Sequence, residues 1–221
     1  MFKTRYGDRA ARPPTPYSLT NSSAVTQQHT DVIVSENGAL FLLPDPVTCF
    51  RSASYKQIQT FHLSKDASLV MLDWITSGRR SLGEEWAFSR YYSANEIWVD
   101  GRRVARDVTL LEDTELDIPQ LPRRTLPDKL SPYSCYATVI LYGPLVQRLI
   151  CDITAQYEEI VVFKTKSPAE LIWSLSSISE GKGCIVRVAG METEGVRMWL
   201  GGALRKLENM VGIDVFRRAF A

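Results

Sequence analysis

Between Asp73 and Asp100 the sequence concentrates side chains capable of chemistry: carboxylates at Asp73, Glu84 and Glu85, guanidinium groups at Arg79 and Arg80, and Gly78 and Gly83, five positions apart, bracketing the arginines. Three chemistries suit such a set. Backbone amides at a glycine turn, joined by two forked guanidinium groups, match phosphate or carboxylate. The spacing is not that of a nucleotide-binding P-loop, because no lysine followed by serine or threonine comes after the second glycine. Asp73 with Glu84 matches in kind the acid/base pair of a β-rich hydrolase, with His62 in support, although carboxylates near arginine also form plain salt bridges. The third reading is a structural turn or a protein-contact surface, with Arg79 or Arg80 held by Asp73, Glu84 or Glu85. Arginine's enrichment at interfaces favours contact.

A metal site needs several donors that converge. His29 and His62 are the two histidines, and Asp45, Cys49, His62, Asp73, Glu84 and Glu85 are the candidate donors. The four cysteines, Cys49, Cys135, Cys151 and Cys184, are dispersed with no Cys-x-x-Cys pair, which argues against a zinc knuckle or redox motif and for buried reduced thiols. With no Gly-x-Ser-x-Gly elbow, a serine or cysteine nucleophile would have to find its base at His29 or His62.

The elements that position these residues read as short strands. Residues 7–30, with Pro13, Pro14 and Pro16 among serines and asparagine, have the composition of a flexible loop, and Arg12–Pro16 that of a docking peptide. Asp31–Val34 and Ala39–Leu43 flank Asn37-Gly38 as a hairpin. Gln57–Leu63 and Leu69–Ile75 follow, the latter apolar enough for burial on both faces. Gly78 and Gly83 bound a polar turn, after which Trp86 and Phe88 alternate with polar or small residues as a strand. Asp100-Gly101 is the strongest hairpin signal. Leu111–Pro132 is a connection, Tyr136–Tyr142 and Glu158–Thr165 are strands, and Leu145–Tyr157 is either helix or irregular. Ser167-Pro168-Ala169-Glu170 has the form of a capping box opening a helix to about Ile178. Cys184–Val188 is a further strand. Val196, Trp199, Leu200, Leu204, Leu207 and Val211 recur at helical spacing from Thr193, as one amphipathic helix whose apolar stripe covers the sheet or meets a partner, the first being favoured. No repeat of fixed period is evident.

The 221 residues suffice for a sizeable core, and 26 basic against 25 acidic residues give no electrostatic case for nucleic acid or an anionic membrane. No apolar run is long enough to span a bilayer, and Met1–Arg5 lacks a signal core, so the chain reads as intracellular.

The segment Leu43-Pro44-Asp45-Pro46-Val47-Thr48-Cys49-Phe50-Arg51-Ser52-Ala53-Ser54-Tyr55-Lys56-Gln57, followed by Gly78-Arg79 and Gly83-Glu84, by Tyr136–Pro144, by Val186–Gly190 and by the helical tail, resembles the urease accessory protein UreD (UreH) family in its fungal form. The likeness runs from about Asp31 to the C-terminus. It implies a mainly β fold, a β-helix-like stack of short strands with two helices in the C-terminal part. It further implies one UreD-like domain over residues 1–221, lacking the family's N-terminal portion, so that some strands would present unpaired edges. The implied function is that of a non-enzymatic metallochaperone scaffold in the cytoplasm. It would assist nickel insertion into apo-urease alongside the accessory proteins UreF and UreG, the latter a separate GTPase. No cofactor would be tightly bound, and nickel would pass in transit. Asp73, Gly78, Arg79, Arg80, Gly83, Glu84 and Glu85 would then bind a partner or line a tunnel, with His62, Asp45 and Cys49 as candidate weak nickel ligands. The alternatives are the Asp73/Glu84 hydrolase and a non-functional fragment of the accessory protein.

Overall fold

A computed structural model describes residues 24–113, 124–160 and 168–220. The first part is a coil of strands that passes between two sheets. β1 (Val25–Val34) lies in sheet one, and β2 (Ala39–Leu42) and β3 (Val47–Thr48) lie in sheet two. β4 (Ser54–Leu63) returns to sheet one, β5 (Ser68–Thr76) to sheet two and β6 (Arg90–Val99) to sheet one. Successive turns stack in parallel: β1 on β4 and β4 on β6 in one sheet, β2 and β3 on β5 in the other. This is the β-helix-like stack that the resemblance implies. β7 (Arg102–Glu112) closes sheet one antiparallel to β6. β8 (Cys135–Tyr142), β9 (Leu171–Ile178) and β10 (Gly183–Gly190) extend sheet two antiparallel from β5, in the spatial order β8, β10, β9.

Five α-helices occur among the described residues: α1 (Leu126–Leu130), α2 (Gln147–Glu158), α3 (Thr193–Ala203), α4 (Glu208–Val211) and α5 (Ile213–Phe220). Only α2 and α3 exceed ten residues, at 12 and 11. The helices cover one face of sheet two and sheet one covers the other, which explains the continuous apolar run of β5. Val70, Leu72 and Trp74 face Leu149, Ile153, Val196 and Leu200, while Leu69 and Met71 face Phe61 and Ile97. Each such side chain contributes roughly 1.5–3 kcal/mol on burial.

Several sequence expectations are corrected. Val25–Thr30 is not loop: its backbone pairs in register with Ser54–Gln59, a ladder that outweighs its polar composition. The rest of the proposed loop and the docking peptide, residues 1–23, lie outside the described residues. Asp31–Val34 and Ala39–Leu43 do not form a hairpin. Asn37, at φ 57°, and the Gly38 N–H donating to Ser35 O bend the chain from one sheet to the other, and each strand pairs with the next turn of the coil. Trp86 and Phe88 lie in irregular chain, with Trp86 at φ 50° and its N–H on Ser77 O at 2.6 Å, so both rings turn into the end of the inter-sheet core. The segment after Ser167 is strand, not helix. Leu171, Trp173 and Leu175 alternate with Ile172, Ser174 and Ser176, all eight residues of β9 pair with β10, and the Glu170 carbonyl accepts from the Met191 N–H beyond the ladder's end.

Glu158 ends α2 instead of opening a strand, Glu159 and Ile160 are not strand, and Val161–Thr165 lie outside the described residues. Leu145–Tyr157 resolves mostly into α2. The final helix breaks after Ala203, where Gly201-Gly202 weaken it, and the tail folds back so that Phe216 and Phe220 join the same core. Within the connection from Leu111, α1 is capped by Thr125 and Asp128 in a capping box. The Asp100-Gly101 hairpin forms as expected, with φ 48° and 76° at its two central residues.

Candidate functional site

The inward-facing positions of the two sheets are apolar at one end and polar in the middle. In β4, Gln57 and Gln59 share the inward phase of Phe61 and Leu63, and in β6, Ser93 and Asn95 share that of Tyr91 and Ile97. Opposite them on β5 stands Asp73, 8% exposed. Its Oδ2 accepts from Ser93 Oγ at 2.5 Å and Asn95 Nδ2 at 2.8 Å; its Oδ1 accepts from Gln57 Nε2 at 3.2 Å and the Tyr91 hydroxyl at 3.3 Å. All four partners are uncharged. Asp73 is therefore a buried carboxylate stabilised by neutral dipoles rather than by a counter-ion. Burial first, and then the Asp73 charge, push the Tyr91 hydroxyl well above its ordinary pKa, so it stays a donor.

The polar layer extends to both sides. Gln59 Nε2 donates to Asn95 Oδ1 at 2.9 Å, and the Tyr55 hydroxyl lies 2.9 Å from the amide oxygens of both Gln57 and Gln28, the latter on the half-buried edge strand β1. In the other direction Asn95 pairs in register with Asp107 of β7, and across sheet two Asp73, Thr138 and Arg187 are register partners on β5, β8 and β10. Arg187 Nη2 donates to Asp107 Oδ1, joining the two sheets. Beside this pair a cleft of about 340 Å³ opens between β7 and β9–β10, with apolar walls that include Leu111, Tyr136, Ile172 and Val188 and with Arg187 among its polar groups. The layer thus crosses the sandwich from the β1 edge to the cleft.

The glycine turn is a separate construction. Gly78 has φ 126° and its missing Cβ would sit 2.8 Å from Glu84 O, while Gly83 has φ 68°; both need glycine's freedom. Between them Arg80–Leu82 forms a 3-10 turn. Arg79 grips Glu84 with both prongs, Nε to Oε2 and Nη2 to Oε1, each at 2.8 Å, and lies over the Phe50 ring at 4.3 Å. The Arg51 backbone N–H also donates to Glu84, and its guanidinium approaches to 3.9 Å. These bonds, Arg79's above all, hold the Glu84 carboxyl below its usual range. Arg80 reaches Glu192, just before α3, at 2.5 Å, and Glu85 is exposed. Phe50 and Leu82 are both more than half exposed on this surface.

Of the three carboxylates expected to hold an arginine of the turn, Glu84 does so for Arg79, whereas Asp73 belongs to the inter-sheet layer. Five residue steps of largely extended chain lead from it to Gly78, beside which Glu84 lies, roughly 16 Å at ~3.3 Å per residue. A glycosidase pair needs carboxyls about 5–9.5 Å apart, so this geometry does not favour the hydrolase reading. His62, Asp45 and Cys49 are not brought together, and no group of three metal-ligating side chains occurs among the described residues. His62 lies on the outer face of sheet one, 3.4 Å from Asp31 and stacked on Trp98; Asp45 is exposed between β2 and β3. Cys49 is packed with Ile75 and Trp86, its thiol pushed up to about 11 by burial.

Sequence reading missed Gln57, Gln59, Tyr91, Ser93, Asn95, Asp107 and Arg187. The signal was available as polar side chains in the inward phase of strands whose other inward positions are apolar.

A family model described as UreD urease accessory protein matches residues 16–215. The chain is 35% identical over 209 residues to urease accessory protein 4 of Cryptococcus neoformans, covering 90% of this chain and 64% of that protein. It is 35% identical to urease accessory protein UreD of Sorangium cellulosum, with 89% and 59% covered, and 31% identical to urease accessory protein D of Arabidopsis thaliana, with 86% and 69% covered. The chain thus spans about 59–69% of the length of these relatives.

Proposed function

Because the chain belongs to the UreD urease accessory protein family, we propose that it serves urease maturation as a non-enzymatic scaffold in the cytoplasm, binding apo-urease and the accessory proteins UreF and UreG, the last a separate GTPase, and passing nickel to apo-urease. The observation that carries the reading is Asp73, a buried carboxylate ringed by four neutral donors in a polar layer that reaches both sides of the sandwich. A dication crossing a protein needs negative potential without a tight cage. One carboxylate with amide and hydroxyl neighbours attracts it, and amide oxygens supply weak hard ligands along the way. Nickel is cargo here, not a resident group.

The glycine turn serves as the partner surface in this reading. Arg79, locked by Glu84 against Phe50, presents a fixed guanidinium beside exposed Phe50 and Leu82, and an aromatic–arginine patch of this kind loses little entropy on docking. The test is co-expression of urease with its accessory set in a host that has none, with and without this chain. Expected is co-purification with urease and nickel-loaded, active urease only when the chain is present. Equal nickel content without it, or no association with urease or any accessory protein, refutes the proposal.

A further inference from the structure

Asp107 is 5% exposed, whereas the Arg187 side chain that bonds it is 45% exposed and lines the cleft. The arginine thus enters the polar layer from outside, with its stem in the cleft and its head on a buried carboxylate. Asp107 lies beside Asn95, whose amide donates to Asp73, so two carboxylates flank one amide on the interior face.

From this arrangement we infer that Arg187 gates the polar layer: it occupies Asp107, a second carboxylate that receives the cation once the guanidinium swings into the cleft. The inference rests on the nickel-transfer reading above. Charge supports it. Among the described residues of the layer, Asp73, Asp107 and Arg187 leave one net negative charge, and a divalent cation in place of the guanidinium leaves none. One guanidinium offsets one of the two carboxylates, whereas a dication matches both. The exchange is therefore favoured for a dication and not for a monovalent ion. Space supports it as well, since the cleft of about 340 Å³ has Thr109, Thr138 and Ser174 on its walls to accept the displaced head.

The experiment uses the full chain and NiCl2, with affinity from titration calorimetry and melting temperature measured in parallel. Arg187→Gln retains amide donors toward Asp107 while removing the charge. It is expected to bind Ni²⁺ about tenfold or more tightly than the parent, because an opposing unit charge has gone from a low-dielectric site. Adding Asp107→Asn should cancel the gain, and Na⁺ should not compete. Arg187→Lys, which keeps the charge without the fork, should fold where the glutamine variant does not and show little gain. A lowered melting temperature with unchanged Ni²⁺ affinity, or a gain that survives Asp107→Asn, overturns the inference. Either result leaves the nickel-transfer proposal to be judged by the urease loading of the parent chain and of Asp73 variants.

Discussion

Replacing Asp73 separates what its shape holds from what its charge does. In Asp73→Ala four donors lose their acceptor: Gln57 Nε2, the Tyr91 hydroxyl, Ser93 Oγ and Asn95 Nδ2. Gln57 Nε2 already bonds Ser93 Oγ at 3.2 Å and can close on it, which leaves about two to three orphaned groups. At about 1–3 kcal/mol per unsatisfied buried group, and with some rehydration from the cleft, the expected loss is about 3–5 kcal/mol, a large part of the ~5–15 kcal/mol that holds a typical domain. Asp73→Asn keeps the shape. Its amide oxygen can take the two close donors, Ser93 and Asn95, and its NH2 meets Gln57 and Tyr91 across the longer contacts; the Tyr91 hydroxyl can rotate to accept. Losing a desolvated charge offsets part of the mismatch, so the loss should stay below about 2 kcal/mol. Urea unfolding followed by tryptophan fluorescence reads both values. Nickel per urease active site, measured by metal analysis after co-expression, reads the charge, and both variants should deliver much less nickel than the parent. A folded Asp73→Asn chain that loads urease fully would refute the role given to the carboxylate. An asparagine variant as unstable as the alanine variant would refute the hydrogen-bond accounting.

At the turn, Arg79→Ala should weaken binding to the urease-side partner by about a hundredfold, as truncation of one member of a desolvated pair does at interfaces; lowered melting temperature with unchanged affinity would reduce the turn to a strand closure. Gly78→Ala should cost about 1–3 kcal/mol from its positive φ and its contact with Glu84 O, and Gly83→Ala, with open space around it, about 1 kcal/mol, both by urea unfolding. Because the folded Glu84 carboxyl titrates below its ordinary 4.5, the stability it adds is present above that pH and is lost as pH falls through the folded value. The melting-temperature gap between parent and Glu84→Gln should accordingly narrow only below about pH 4.5; a gap that closes between pH 6 and 8 would point to another group. Of the four cysteines, Cys151 is exposed, whereas burial pushes the thiols of Cys49, Cys135 and Cys184 up to about 11, 12 and 12. Mass spectrometry of the native chain treated with a maleimide should find one rapid adduct, and a second would contradict the packing of these thiols.

What was legible in the sequence follows from how local each signal is. Asp100-Gly101 encodes its own turn, and β5 encodes double burial in its composition, so both were readable from a few residues. The Asn37-Gly38 turn carries the same local chemistry as a hairpin, yet it joins strands of different sheets, because the partner of β1 is β4, one turn of the coil away and 29 residues on in register. A parallel coil hides its pairing in long separations. The capping signature at Ser167 was overruled in the same way: β9 has a whole free edge of β10 to pair with, and eight ladder residues outweigh one cap. Asp73 was visible as a candidate because it is a charge in an apolar run, but its hydrogen-bond partners were not, because they lie on other strands far along the chain. The pleat decides the matter. A side chain at an odd position of β5 points between the sheets, where side chains of β4 and β6 meet it, so its partners are Gln57, Tyr91, Ser93 and Asn95 and not Arg79. The same parity argument bears on Arg187, which shares a register row with Asp73 and so must enter the interior beside a carboxylate or leave it. A guanidinium half in the cleft and half on Asp107 is the arrangement in which both outcomes remain open to it.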